Sequence, residues 1–383
     1  MPRKHLALIL AGLSVLTLSA ALDVGGGGAR AAASDYQARL AEYQRIHGAY
    51  QAEADAYWNA VSDKRRLRNV KRRNHEPMAL TDYVLTQPPV YAGPRKPIDP
   101  SAPREPPPER PEMPVVADFL AAAAEHWRFT PERPASDAEF KRAYARAALA
   151  AGLTREQAVG VYSFETGGRG LYDTQAGLEP PRPGAHAISP ALGYNQLLST
   201  NTVSMLGEDG GKFVAALRRK AAALQGERRL ALERKIAALE RMIAFTRKIP
   251  AKWSEYDRVA KGTPQGWGIH AILLDIDIGP LLQVQKLATS VHFARAKGYT
   301  APLSAAELEL MNLTGDGNGI DMVMMPQDMR ERVPTSNFFQ PQGYARNPVA
   351  RRTATVAGLL AEIQGHMLRN AQAAGARELA AAF

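Results

Sequence analysis

The chain has 383 residues, of which 45% are hydrophobic and 22% charged, a globular balance that argues against wholesale disorder and against a polytopic membrane protein. It contains no cysteine, which excludes disulfides, thiolate metal sites, cysteine nucleophiles and the lipidated cysteine of a lipoprotein. Lys and Arg number 48 against 38 Asp and Glu, so the partner suggested by charge is anionic.

At the N-terminus, basic Arg3 and Lys4 precede an apolar run from Leu6 to Leu22, and small residues follow from Ala29 to Ala33. The pattern is that of an export signal spanning residues 1–33, because the run is shorter than the roughly 20 apolar residues of a membrane span. Cleavage after Ala33 leaves a basic mature chain in the periplasm. The anionic partners there are the cell wall and the membrane surface rather than nucleic acid.

Residues 34–73, within an N-terminal segment 34–85, read as one long helix. Tyr36, Tyr43, Tyr50 and Tyr57 recur every seven residues and share a stripe with Leu40, His47, Ala54 and Val61. That partly apolar stripe suits packing against the same chain more than a dimeric coiled coil. The basic end, 64–73, reads either as a solvated tail or as a docking point for anionic polymer or a membrane surface. Eleven prolines between Thr86 and Pro114 then predict an extended spacer, 86–114, and a domain boundary.

The remaining residues, 115–383, read as one mainly helical domain. Residues 212–248 form a charged helical insertion in which Gly226 marks a kink or a turn between antiparallel helices. Gly268 to Lys297 reads as a buried helix interrupted around Gly279-Pro280. His270, His292 and His366 are far apart and form no His-Glu-x-x-His pattern, and Thr314 to Met325 makes a poor calcium loop, so no metal or other cofactor is expected.

The chemistry-bearing segment begins at Thr154-Arg155-Glu156-Gln157, a capping box opening a helix that stops at Gly167-Gly168. Ala158, Val161, Tyr162 and Glu165 fall on one face. A carboxylate at the end of an apolar stripe is partly desolvated, its pKa rises, and it becomes suited to general acid work; the plainer alternative is a surface glutamate beside Arg169.

Downstream run Ser189, then Gly193-Tyr194-Asn195-Gln196-Leu197, then Ser199-Thr200-Asn201. A helix ending in Glu, a polar loop and a Gly-x-x-Gln-Leu segment before a helix resembles the catalytic region of lytic transglycosylases in the lysozyme-like superfamily, over about residues 154–206. The resemblance implies a mainly α, lysozyme-like helical domain with a small loop/β region beside the catalytic helix. It also implies Glu165 as sole acid/base, with Ser189, Gly193, Tyr194 and Gln196 lining a sugar cleft. Thr166 and Tyr194-Asn195 depart from the family's usual Ser and Leu-Met, and its Ala-Tyr-Asn-Ala-Gly motif is absent. The polar stretches Asn312 to Asp321 and Ser336 to Tyr344 are the nearest candidates for the second wall, through Asn318, Asn337 and Tyr344.

The implied activity is cleavage of peptidoglycan glycan strands to 1,6-anhydro ends without cofactor. A hydrolytic muramidase would instead need a second carboxylate, for which Asp316 and Asp321 are candidates. A non-catalytic wall-binding or assembly protein retaining the cleft is the alternative from another class.

Overall fold

The computed structural model describes residues 26–102, 113–178 and 186–383. The apolar run of the expected signal, the middle of the proline spacer and the Pro180-Pro181-Arg182-Pro183 loop lie outside them. The described residues are mainly helical and contain isolated β-bridges but no strand. No single described helix is long and apolar enough to cross a membrane.

Two compact units divide the chain, one of Met1–Tyr57 with Pro89–Pro108 and one of Trp58–Pro88 with Glu109–Phe383. The division falls inside helix α1 (Gly26–Arg73). In the first unit the middle of the tyrosine stripe packs against Tyr91 of the proline segment. The Tyr91 ring lies 5.2 Å from both His47 and Tyr50 and 6.5 Å from Tyr43, and its hydroxyl donates to the Pro94 carbonyl at 2.6 Å. Proline cannot propagate a helix, and residues 83–99 are free of helix and strand, yet this stretch lies along α1 instead of standing off as a spacer.

The second unit begins with the basic end of α1, and most of that charge turns inward. Arg68 is buried, with its guanidinium 4.5 Å from the Tyr83 ring centroid, and it donates to the carbonyls of Asp82 at 2.9 Å and Asn337 at 3.0 Å. Arg65 donates to Phe339 O at 2.8 Å, Lys71 pairs with Asp82 at 2.7 Å, and Arg72 pairs with Asp321. Segment 64–73 is therefore an internal clamp more than a solvated tail. Its exposed charges include Arg66 and Arg73.

Then follow α2 (Val116–Trp127), α3 (Asp137–Ala150), α4 (Arg155–Thr166), α5 (Ser199–Ala222), α6 (Gly226–Thr246), α7 (Trp253–Gly262), α8 (Pro264–His270), α9 (Gly279–Ala296), α10 (Ala305–Thr314) and α11 (Asp316–Val323). Short helices α12 (Gln327–Arg330), α13 (Pro341–Arg346) and α14 (Pro348–Thr353) lead to α15 (Val356–Asn370) and α16 (Ala374–Ala381). Helix α4 is central: α3, α10, α15 and α16 all pack on it, and Ala158, Val161 and Tyr162 are fully buried. Burying such side chains contributes about 1.5–3 kcal/mol each for the larger ones, which makes α4 a rigid support.

The charged segment expected at 212–248 is an antiparallel pair, α5 and α6, turning at Gly226 with φ +59°. Gly210 faces Ile243 while Arg218 pairs with Glu240 at 2.5 Å, which fixes the antiparallel register. The pair belongs to the core: Leu217, Leu232, Ile236, Leu239 and Ile243 are buried. Buried Lys235 of α6 meets Asp275 at 3.0 Å and also pairs with Asp277. Asp275 in turn accepts from the backbone of Glu132, Asp277 and Ile278, holding the 96° bend between α8, with its 3-10 extension Ala271–Leu274, and α9. The interruption expected near Gly279-Pro280 is this bend.

Candidate active site

Thr154 caps α4 as its sequence predicts: its hydroxyl accepts from Gln157 N at 3.2 Å, and the Gln157 side chain accepts from Thr154 N at 2.9 Å. At the other end Gly167 and Gly168 take positive φ, and a Cβ on Gly168 would meet the Asn370 carbonyl at 2.2 Å. Glycine there lets α15 approach the helix end. Glu165 is thereby held in the last turn, half-buried, one turn beyond Tyr162.

Helix α10 faces it. Asn312 Nδ2 donates to Glu165 Oε1 at 2.9 Å, and Glu309, one turn earlier and 0% exposed, is in hydrogen-bonding contact with the Glu165 carboxyl. Two carboxyl groups share a hydrogen bond only when one of them carries a proton. Burial favours Glu309, the more deeply sealed of the two, as the holder of that proton. Burial raises the Glu165 pKa to about 7, opposed by the hydrogen bonds from Glu309 and Asn312 and by the Lys286 charge. Glu309 is raised well above the carboxylate range, first by burial and then by the Glu165 charge. Near neutral pH, Glu309 is the neutral acid and Glu165 the titrating member.

The Gly193 loop reaches this pair through α9. Gln283, Lys286, Leu287 and Ser290 share one face of that helix at i, i+3, i+4 and i+7. Gln283 Oε1 accepts from Asn195 N at 2.9 Å, its Nε2 donates to Leu192 O at 3.1 Å, and its own carbonyl accepts from Asn195 Nδ2 at 2.8 Å. Lys286, one turn on, exerts its charge on both carboxyl groups, and Ser290 donates to Asp316 at 2.6 Å. Gln283 and Lys286 are one turn apart on α9, one seating the loop and the other acting by charge on the carboxyl pair.

Within the loop, Gly193 has φ +80° and a Cβ would lie 2.1 Å from Gln283 Nε2, so both conformation and space demand glycine. Half-buried Gln196 donates to Gly193 O at 2.8 Å and Thr174 O at 3.1 Å. Half-buried Ser189 accepts from Ala191 N at 3.1 Å. Isolated bridges Gln175–Leu192 and Leu192–Leu197 are the only β-type pairing here among the described residues. Below the loop, His270 Nε2 donates to Pro190 O at 2.7 Å while its Nδ1 accepts from Thr202 at 3.0 Å. Burial lowers its pKa to about 4, so it is a neutral strut.

Three residues expected to line a cleft have other work. Tyr194 is fully buried, edge-on to the Tyr162 ring at 4.9 Å, and its hydroxyl donates to Asp137 Oδ1 at 2.9 Å, so it is a core pillar beneath the loop. Asn337 is fully buried and latches Val84, accepting from its N at 2.9 Å and donating to its O at 2.8 Å. Tyr344 is buried between Trp58 and Phe339. Asn318 donates to Thr314 O at 3.2 Å and lines a separate pocket with Asp316 and Asp321. Of the two proposed second-wall stretches, then, the first contributes Asn312 to Glu165.

Sequence reasoning missed Glu309, Gln283 and Lys286. The signal for Glu309 was a Glu-x-x-Asn pair at i, i+3 set among buried Leu308, Leu310 and Met311. Among the described residues no group of three or more His, Asp or Glu is placed to hold a metal. The acidic cluster of Glu132, Asp275 and Asp277 is filled by Lys235. In comparisons with known proteins, no family model, curated protein or solved structure matched the chain.

Proposed function

We propose that the protein is an exported peptidoglycan lytic transglycosylase in which Glu165 is the single acid/base, working in the periplasm on glycan strands. The observation that carries this reading is the placement of the Glu165 carboxyl at the end of α4, held by Asn312 Nδ2 at 2.9 Å and set against buried Glu309, where burial raises its pKa to about 7. A carboxyl poised there is populated in both protonation states near neutral pH, as one group acting first as acid and then as base requires.

Protonated Glu165 gives its proton to the glycosidic oxygen leaving group. The resulting carboxylate takes a proton from the muramyl 6-hydroxyl as that oxygen closes onto C1, forming the 1,6-anhydro ring. The attacking oxygen belongs to the substrate, so no second ionised carboxylate has to activate water. Asn312 keeps Glu165 oriented through both steps, and the Gly193–Gln196 loop beside it is read as the sugar-facing wall of a lysozyme-like domain. Asp321 pairs with Arg72, and Asp316 accepts from Ser290.

The test is incubation of the mature protein with purified peptidoglycan and mass analysis of released muropeptides. Anhydro ends that disappear in Glu165→Gln support the reading, with turnover expected to fall by about 10² to 10⁴. Reducing ends would mean a hydrolase. Binding without release would mean a wall-binding protein.

A further inference from the structure

We propose that the turn joining α6 to α7, residues 247–253, is a membrane-contact loop that seats the Trp253 ring among the headgroups of an anionic phospholipid surface. It shares no residue with the Glu165 site, and the proposal does not rest on the reaction assigned there.

Of the chain's four tryptophans, Trp253 is the only one exposed, at 54%. Trp127 and Trp267 donate their indole N–H groups to Gln265 O and Lys261 O, each at 3.0 Å. The Trp253 indole makes no hydrogen bond among the described residues. A ring without cover and an N–H without an acceptor suit the lipid–water boundary, where the ring meets acyl chains and the N–H meets headgroups or water.

The surrounding charge selects an anionic surface. Arg247, Lys248 and Lys252 are exposed, and none of the three side chains makes an ion pair or hydrogen bond among the described residues. Residues 241–261 carry six cations against two acids, Glu255 and Asp257. Both acids are engaged already: Glu255 pairs with Arg258 at 3.1 Å, while Asp257 pairs with Lys261 at 2.8 Å and accepts from the Thr200 hydroxyl at 2.6 Å. The loop cations are thus left uncompensated. Lys252 is also a costly choice for its position. It is the N-cap of α7, gives no capping hydrogen bond, and sets a cation against the positive end of the helix. A residue that works against its own helix is expected where binding needs it.

The loop is held in shape before any contact. Ile249 packs on the core, and the amides of Arg247, Lys248 and Ile249 donate to Ile243 O at 3.0 Å and to Phe245 O and Thr246 O at 3.1 Å. Little ordering is therefore required when the cations and the indole meet a surface.

Sedimentation of the mature protein with vesicles tests this, using phosphatidylcholine alone and phosphatidylcholine mixed with phosphatidylglycerol. Binding is expected to the mixed vesicles, weakening as salt rises, with a blue shift of tryptophan emission that is lost in Trp253→Phe. Lys248→Gln combined with Lys252→Gln should weaken binding about 10- to 30-fold, and Trp253→Ser about 10-fold, with thermal stability and muropeptide release unchanged. Equal binding to phosphatidylcholine alone, no binding to either vesicle, a native emission that does not shift on binding, or full affinity in the double lysine variant would each overturn the assignment. So would lipid-free peptidoglycan that retains the native protein but not these variants while vesicles do not, which would give the loop to the wall polymer instead. Loss of muropeptide release in Glu165→Gln with vesicle binding intact keeps the two readings separable.

Discussion

Glu165 and Glu309 meet across the α4–α10 interface as a carboxyl pair of unequal exposure, Glu309 sealed in the core and Glu165 open on one side. The inequality favours the proton on Glu309, whose pKa burial and the Glu165 charge raise well above the carboxylate range. Glu309 stays neutral and donates, which steadies the charged form of Glu165, while Glu165 alone exchanges protons with anything bound above it.

The first prediction concerns that donation. Glu309→Gln replaces the acid O–H by an amide N–H of similar reach, so the Glu165 titration should stay near its native position. Glu309→Leu removes the donor and leaves the burial, so the titration should move upward, since the Glu309 hydrogen bond is among the forces holding it down. Carboxyl-carbon NMR of glutamate-labelled protein reads the titration directly. A leucine variant titrating unchanged or lower would show that the two carboxyls do not interact.

Stability against pH separates Glu165 from His270, because their shifts have opposite consequences. Glu165 is raised from 4.5 to about 7, so between those values the folded state holds more protons than the unfolded one and stability falls as pH rises. His270 is lowered from 6.5 to about 4, so the unfolded state holds more protons and stability rises with pH across that window. Denaturation midpoints measured from pH 4 to 8 should therefore show that Glu165→Gln gains on the native chain as pH rises and that His270→Gln gains on it as pH falls. Parallel curves for either variant would remove the corresponding shift.

What the sequence made legible was local. The Thr154–Gln157 capping box, the Gly167-Gly168 stop and the apolar stripe leading to Glu165 depend on residues within a turn or two of one another, and each stands as read. The Glu165–Asn312 contact joins residues 147 apart, and a helix periodicity does not say which neighbour a face will meet. Tyr194 was placed on the cleft by the resemblance alone, and only tertiary packing shows its hydroxyl donating to Asp137 beneath the surface. The basic run at 64–73 likewise carries no local sign that Arg68 finds Asn337, 269 residues away.

Gly193→Ala tests how tightly the loop is seated on α9. The new Cβ would collide with Gln283 Nε2, and φ +80° adds backbone strain, so a loss of about 1–3 kcal/mol is expected by urea denaturation. In a Gln283→Ala background the collision with Gln283 disappears, leaving the backbone strain and a close approach of 3.2 Å to the Tyr172 carbonyl. The second substitution should then cost clearly less than in the native chain, a coupling that a double-mutant cycle measures. Simple additivity would mean that the loop moves freely away from α9.

The last prediction concerns where the folded domain begins. Composition places the boundary in the proline segment and starts the domain at residue 115, whereas residues 58–88 are bound into the larger unit by some of its most buried polar contacts. Arg68 lies against the Tyr83 and Phe338 rings and donates to Asn337 O, and Asn337 exchanges two hydrogen bonds with the Val84 backbone. A chain starting at Val115 lacks both Arg68 and Val84, so Asn337 keeps its buried amide with the Val84 hydrogen bonds gone, and the apolar surfaces of Phe338 and Tyr344 lose Tyr83 and Trp58. Each unsatisfied buried polar group costs about 1–3 kcal/mol, and the uncovered rings add to that. A chain of residues 58–383 keeps all of these contacts. Expressed side by side, the 58–383 chain should be soluble with a cooperative thermal transition, and the 115–383 chain should melt lower or aggregate. Equal stability of the two would return the boundary to the proline segment and make the α1 clamp dispensable.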